Sequence, residues 1–247
     1  MKVIPVAGLS GSGKTSFIRS LLPLLARYGP VGAVKHIGHH AIDVPEGKDT
    51  TVMFATGAQA VAGIDQEKTI ITLRRTSVAD ALDILAGQGV AFAVVEGFKG
   101  STWPKIIIGD LEAEGCLLRN PAPEEVIRSL DRFPDYITLG EILRELAAGC
   151  RGRGKPCATA ASTVPVPANL AAGSLSSLDE ALPEIVRSVE ELPGIAGARA
   201  VIRHGALFGD TDELLLAVAA GSGEEAAAAL QIAISRCREI LKGHTPR

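Results

Sequence analysis

"GLSGSGKTS", Gly8–Ser16, follows directly on the apolar run "KVIPVAG". Gly8, Gly13, Lys14 and Thr15 fit the spacing G-x-x-x-x-G-K-[ST], with a strand pattern before them and a helix pattern after. That context reads as a phosphate-binding loop. The glycines let backbone N–H groups turn inward around phosphate oxygens. The helix that opens here presents the positive end of its dipole to the same anion. Lys14 can reach β- and γ-phosphates, and the Thr15 hydroxyl can ligate magnesium. Ser10, Gly11, Ser12 and Ser16 complete the expected cradle. A plain glycine-rich turn would not explain a lysine and a hydroxyl in register.

Outward from the loop, strand and helix patterns alternate. "KTSFIRSLLPLLARYG" carries Phe17, Leu21, Leu22 and Leu25 at helical spacing, with Gly29 as its stop. "VGAVKHIG" reads as a strand, and "SVADALDILAG" as a helix capped by Ser77. "VAFAVVEGF" is a continuous apolar strand of the kind found inside parallel sheets. "PKIIIG" is a further strand, and "PEEVIRSL" and "TLGEILRELAAG" are helices. The alternation predicts an α/β fold of P-loop NTPase type: a mostly parallel sheet with flanking helices. Residues 149–177 are rich in Gly, Pro, Ser, Thr and Ala and read as a linker, with "TVPVP" extended. Residues 178–247 then read as helix, two strands and helix, a small C-terminal α+β domain. The expected organisation is 1–148, a linker over 149–177, and 178–247.

Bulk composition bounds the function. The 247 residues are 47% hydrophobic and 21% charged, enough for a buried core. A net charge of -3 and 4% aromatic residues argue against a nucleic-acid surface. No apolar stretch approaches a membrane span and no signal peptide is visible, so a cytoplasmic location is expected. Cys116, Cys150, Cys157 and Cys237 form no C-x-x-C pair. Cys150 and Cys157 flank "RGRGKP" and read as ordinary thiols, a metal or redox role being the alternative.

Two acidic residues are candidates for magnesium. Glu96 ends the apolar strand "AFAVVE", where a P-loop fold usually carries an acidic residue; as a glutamate in place of the commoner aspartate it favours a contact through water over a direct one, a strand-end glutamate in solvent being its other reading. Asp49 in "GKDT" is the second candidate, a helix cap being its other reading. "KHIGHH" places His36, His39 and His40 at a strand end. Their spacing matches no zinc box, so a loop facing the phosphates or a partner's ligand is favoured over a metal site.

Four segments in order, "GLSGSGKTSFIRSLLPLL", "VGAVKHIGHH", "VPEGKDTTVMFATGAQAV" and "VVEGFKGSTWPKI", resemble the molybdopterin-guanine dinucleotide biosynthesis adapter (MobB) family over about residues 1–148. The resemblance implies a homodimeric, GTP-binding, weakly hydrolysing partner of the guanylyltransferase that joins GMP to molybdopterin, and of other molybdenum cofactor pathway proteins. It implies GTP and Mg2+ as ligands, with Gly8, Gly13, Lys14 and Thr15 on the triphosphate and Asp49 and Glu96 around magnesium. His36 and Lys99 occupy motif positions of the family. The regulatory-GTPase element N-K-x-D is absent, so guanine specificity rests on the resemblance alone.

The C-terminal segment is similar to part of the molybdopterin synthase large subunit (MoaE) family, with Lys242 at the first of that family's two functional lysines. It departs elsewhere: the family's "HR" stands as Arg203 and His204 in reverse order, and a later "HR" is replaced by "GSGEE". A degenerate, non-catalytic relative that dimerises or docks a partner is expected. Two further readings stay open: a P-loop small-molecule kinase or general NTPase, and a residual synthase activity dependent on Lys242.

Overall fold

The computed structural model describes residues 1–38, 47–74, 77–151, 157–167, 172–203 and 212–243, with backbone alone at 172–174. The apolar run of the N-terminus forms β1 (Lys2–Gly8), the central strand of a five-stranded sheet. Its neighbours are β5 (Phe92–Glu96) on one side and β6 (Lys105–Ile108) on the other. β2 (Val31–Lys35) adds outside β5, and β7 (Cys116–Arg119) outside β6, and every pairing is parallel. The order β2-β5-β1-β6-β7 leaves all five carboxyl ends on one edge.

Alternation along the strands divides the core in two. Ile4 and Val6 of β1, Val94 of β5 and Ile106 of β6 face α1 (Lys14–Leu25), whose Ile18, Leu21 and Leu25 are buried. Val3, Ala93 and Val95 point to the other face and meet Val78 and Leu82 of α3 (Val78–Gly87) together with Trp103. Ser77 caps α3 as expected: its Oγ accepts the Asp80 N–H at 3.0 Å. This is the α/β sheet that the sequence predicts.

Residues 60–73 and 116–119 carry strands that the sequence reading did not assign. α2 (Asp49–Ala55) packs on an antiparallel hairpin of β3 (Ala60–Ile64) and β4 (Thr69–Leu73). The hairpin turn is set by Asp65, whose Oδ1 accepts the N–H groups of Glu67 and Lys68, both at 2.8 Å. Those two bonds hold the Asp65 carboxyl below its ordinary range. β7 is the other unread element, too short at four residues to show a period.

The expected linker over 149–177 is corrected. α5 (Leu139–Arg151) runs into it, β8 (Ala158–Pro165) occupies its middle, and α6 (Ala172–Glu190) begins inside it. β8 pairs antiparallel along its whole length with β10 (Glu213–Ala220), whose other neighbour is β9 (Ile195–Arg203). "ATAASTVP" is too small and polar to announce a strand; the apolar β10 beside it supplies the burial. α6 and α7 (Gly223–Gly243) cover one face of this sheet, and Ile142 of α5 packs with Leu215 and Ala217 on the other. Among the described residues no helix is long and apolar enough to cross a membrane.

The two sheets meet at Arg203. Its Nη1 donates to Asp83 Oδ1 of α3 at 3.0 Å and to the Tyr136 hydroxyl at 3.2 Å, while its Nε donates to Glu213 at 3.0 Å. Its guanidinium also lies 5.3 Å from the centre of the Tyr136 ring. Burial, against the pull of Arg203, raises the Tyr136 hydroxyl above its ordinary range and keeps it a donor towards Asp83. Arg203 is therefore committed to the junction, and His204 lies outside the described residues.

The expectation of ordinary thiols fails at two positions. Cys150 and Cys157 form a disulfide, with Cα atoms 6.0 Å apart, within the reach of such a bond. Cys116 is exposed and Cys237 is buried, its thiol pushed up to about 11 by burial. Thiol titration of the folded, unreduced protein is expected to count one fast-reacting cysteine. A second should react on unfolding and all four after reduction; three or more fast thiols would contradict this assignment.

Candidate nucleotide-binding site

The turn between β1 and α1 has the geometry that its glycines permit. Gly11 and Gly13 have φ of 76° and 91°, in the region that favours residues without a Cβ. Gly8 is constrained by space: a Cβ there would lie 2.4 Å from the Ile108 carbonyl oxygen and 2.6 Å from Ser12 Oγ. The strand end is thus pressed against β6, and the loop wraps over it. Lys14 folds back across the loop, its Nζ donating to the carbonyls of Leu9 at 2.7 Å and Gly8 at 3.2 Å. Ser12 Oγ is shut off from solvent without a hydrogen-bond partner among the described residues. Buried hydroxyls are nearly always satisfied, so this one calls for a group from outside. An orphaned donor inside a cradle that tolerates no side chain fits a bound phosphate. Ser10, Thr15 and Ser16 lie exposed around the same turn.

Glu96 comes to the same edge. It ends β5 in register with Val6 of β1 and with Lys35 of β2. Its side chain is 15% exposed, with Lys35 Nζ 3.7 Å away. The next residues lock β5 to both neighbours: Gly97 N–H donates to Val6 O at 3.0 Å, and His36 N–H donates to Glu96 O at 2.9 Å. The His36 ring stacks on Phe98 with centroids 4.4 Å apart. Phe98 itself has φ of 48°, a conformation costly for an aromatic residue and most often kept at functional sites. Gly97 must be glycine, since a Cβ would lie 2.9 Å from that of His36.

The candidates therefore divide. Lys14, Thr15, Glu96 and His36 stand on the carboxyl edge of the five-stranded sheet, where open α/β sheets bind ligands. Lys99 is exposed just beyond Phe98. Asp49 opens α2 with Lys48 as its backbone cap, and α2 packs on β3 outside that sheet. Among the described residues no three His, Cys, Asp or Glu side chains converge on a metal position. His39 and His40 lie outside the described residues. Lys242 belongs to the last turn of α7, on the other sheet. Sequence reading missed Arg119 and Asn120 at the end of β7, whose only signal is the "RNP" that closes an otherwise unremarked strand.

Comparison with known proteins gives the first half of the chain a family. The family described as "Molybdopterin guanine dinucleotide synthesis protein B" (MobB) matches residues 3–123. A curated relative from Haemophilus influenzae, a molybdopterin-guanine dinucleotide biosynthesis adapter protein, is 35% identical over 128 residues, 49% of this chain and 68% of the relative. The chain belongs to the MobB family. A Bacillus subtilis relative, a probable adapter of the same description, is 33% identical over 119 residues, 45% of this chain and 69% of its own. A crystal structure of Bacillus subtilis MobB aligns at 22% identity with a TM-score of 0.43, over 55% of this chain and all of that one. The family match ends in the first residue of α4 (Pro123–Arg128), before the second sheet begins, so the likeness of 178–247 to the synthase subunit rests on the sequence resemblance alone.

Gly8→Ala is expected to lower stability by about 1–3 kcal/mol, because the clash is with a backbone carbonyl of a paired strand. Gly100→Ala, where a Cβ meets nothing within 4 Å, serves as the control and should stay within about 0.5 kcal/mol of the parent. Urea unfolding of both variants reads the difference.

Proposed function

We propose that this MobB-family chain binds GTP with Mg2+ at the Gly8–Ser16 loop, hydrolyses it slowly, and acts as an adapter in molybdopterin-guanine dinucleotide synthesis. It would assist the guanylyltransferase that joins GMP to molybdopterin, in the cytoplasm. The observation that carries the reading is the buried, unpartnered Ser12 Oγ inside a loop that also holds Lys14, at the sheet edge where Glu96 ends β5. In this assignment the loop N–H groups, Ser12 and Lys14 take the phosphates. Thr15 and Glu96 hold magnesium, Glu96 directly or through water, with Asp49 as a further candidate. When bound, the ion would neutralise charge on the β- and γ-oxygens. The names of the curated relatives support the adapter role.

A homodimer forms part of the proposal. The β3–β4 hairpin leaves Ile64, Ile70 and Ile71 exposed at 79%, 62% and 54%, beside Val52 and Met53 of α2. A two-stranded hairpin is marginal alone, and Ile64 and Ile71 on one of its sides with Ile70 on the other leave apolar surface that suits an interaction with a second copy. For the C-terminal sheet we propose a docking or dimerisation role without synthase chemistry, since Arg203 is spent on the domain junction.

Calorimetric titration with GTP and ATP in the presence of Mg2+ tests the reading. Binding at micromolar concentration, preferring GTP and lost in Lys14→Ala, is expected. Absence of Lys14-dependent binding would remove the proposed function altogether.

A further inference from the structure

At the end of β6, one turn is held more firmly than its exposure requires. Gly109, with φ of 82°, sits against the phosphate loop: a Cβ there would lie 3.1 Å from Ser12 Cβ. Its N–H donates to Asn120 Oδ1 at 2.6 Å. Arg119 Nη1 donates to the carbonyls of both Gly109 and Leu111, each at 3.1 Å. Asn120 N–H is itself bonded to Ile107 O at 2.8 Å, with Asn120 at φ of 45°. Asparagine tolerates that conformation better than most other residues with a side chain, though at some cost that glycine would not carry. Two residues of β7 and its end thus fix the backbone on either side of Asp110.

Asp110 is exposed on this rim, and among the described residues no hydrogen bond or ion pair engages its carboxylate. A negative charge beside a phosphate loop is unfavourable unless it faces a donor. A carboxylate accepts at two oxygens and suits two parallel N–H groups. Guanine offers that pattern, N1–H beside the N2 amino group. Adenine offers one amino group beside the bare N1 acceptor, which a carboxylate repels.

We propose that Asp110 reads the base, accepting hydrogen bonds from guanine N1–H and N2–H, and that Arg119 and Asn120 are positioning residues that hold its turn against the phosphate loop. The inference rests on the GTP-binding reading above and supplies the guanine specificity that no sequence motif announces.

The test measures affinities for GTP, ITP, XTP and ATP with Mg2+, for the parent protein, Asp110→Asn and Asn120→Gly. The parent should prefer GTP to ITP, which lacks the 2-amino group, and to ATP. Asp110→Asn should weaken GTP by about tenfold to a hundredfold. It should leave ATP within twofold and improve XTP, whose 2-carbonyl accepts from the new amide. Asn120→Gly removes the Oδ1 acceptor while easing the backbone, and should lower GTP affinity with ATP unchanged. A GTP-to-ATP ratio unmoved in Asp110→Asn overturns the assignment of the base reader. A parent that binds all four nucleotides equally also overturns it, and leaves the phosphate site standing. Uniform loss with Asn120→Gly overturns the positioning role. Lack of Lys14-dependent binding in the parent overturns both this inference and the reading beneath it.

Discussion

The close approach of Gly8 to the carbonyl of Ile108 is the constraint on which the site depends. β1 is flanked on both sides, and its last residue has no room for a side chain on the β6 side. The chain must leave the sheet there and turn over its own end. Gly11 and Gly13 allow that turn at positive φ, and α1 can then start at Lys14 with its N–H groups facing back across the loop. The buried Ile18, Leu21 and Leu25 hold α1 to the sheet, so the cradle is fixed by core packing as well as by loop chemistry.

The same edge gathers residues from distant parts of the chain because the sheet is parallel. Parallel strands present all their carboxyl ends together, and here those ends supply Gly8, Lys35, Glu96 and Ile108. The Gly97–Phe98 pair, braced by the His36 ring, fixes the exit from β5. Tyr136 and Met1 bond at the opposite end of the sheet, beside the Arg203 junction. The second sheet thus docks away from the Gly8–Ser16 turn.

Much of this was legible in the sequence, for physical reasons. The Gly8–Ser16 turn is a local pattern, and the five-stranded sheet announces itself through apolar runs such as "FAVVE" and "KIII" that burial on both faces demands. Only the end of β8 was legible, in the extended "TVPVP"; the Ala, Ser and Thr before it acquire strand character only when β10 lies beside them. The hairpin hid because its isoleucines are exposed and show no alternation of apolar and polar residues. The disulfide depends on how closely Cys150 of α5 approaches Cys157 ahead of β8, which no local pattern records. Ser12 was read as one phosphate contact among several; only three dimensions single it out as the buried hydroxyl of the loop without a partner among the described residues.

The central claim is that Gly8–Ser16 and the end of β5 form one nucleotide-binding edge, separate from the C-terminal sheet. Hydrogen–deuterium exchange with and without GTP and Mg2+ addresses it directly. The account predicts slower exchange at residues 8–16 and 96–99 on nucleotide addition, with the strands of residues 158–165, 195–203 and 213–220 unchanged. Protection confined to the C-terminal sheet, or none at the loop under saturating nucleotide, would contradict it.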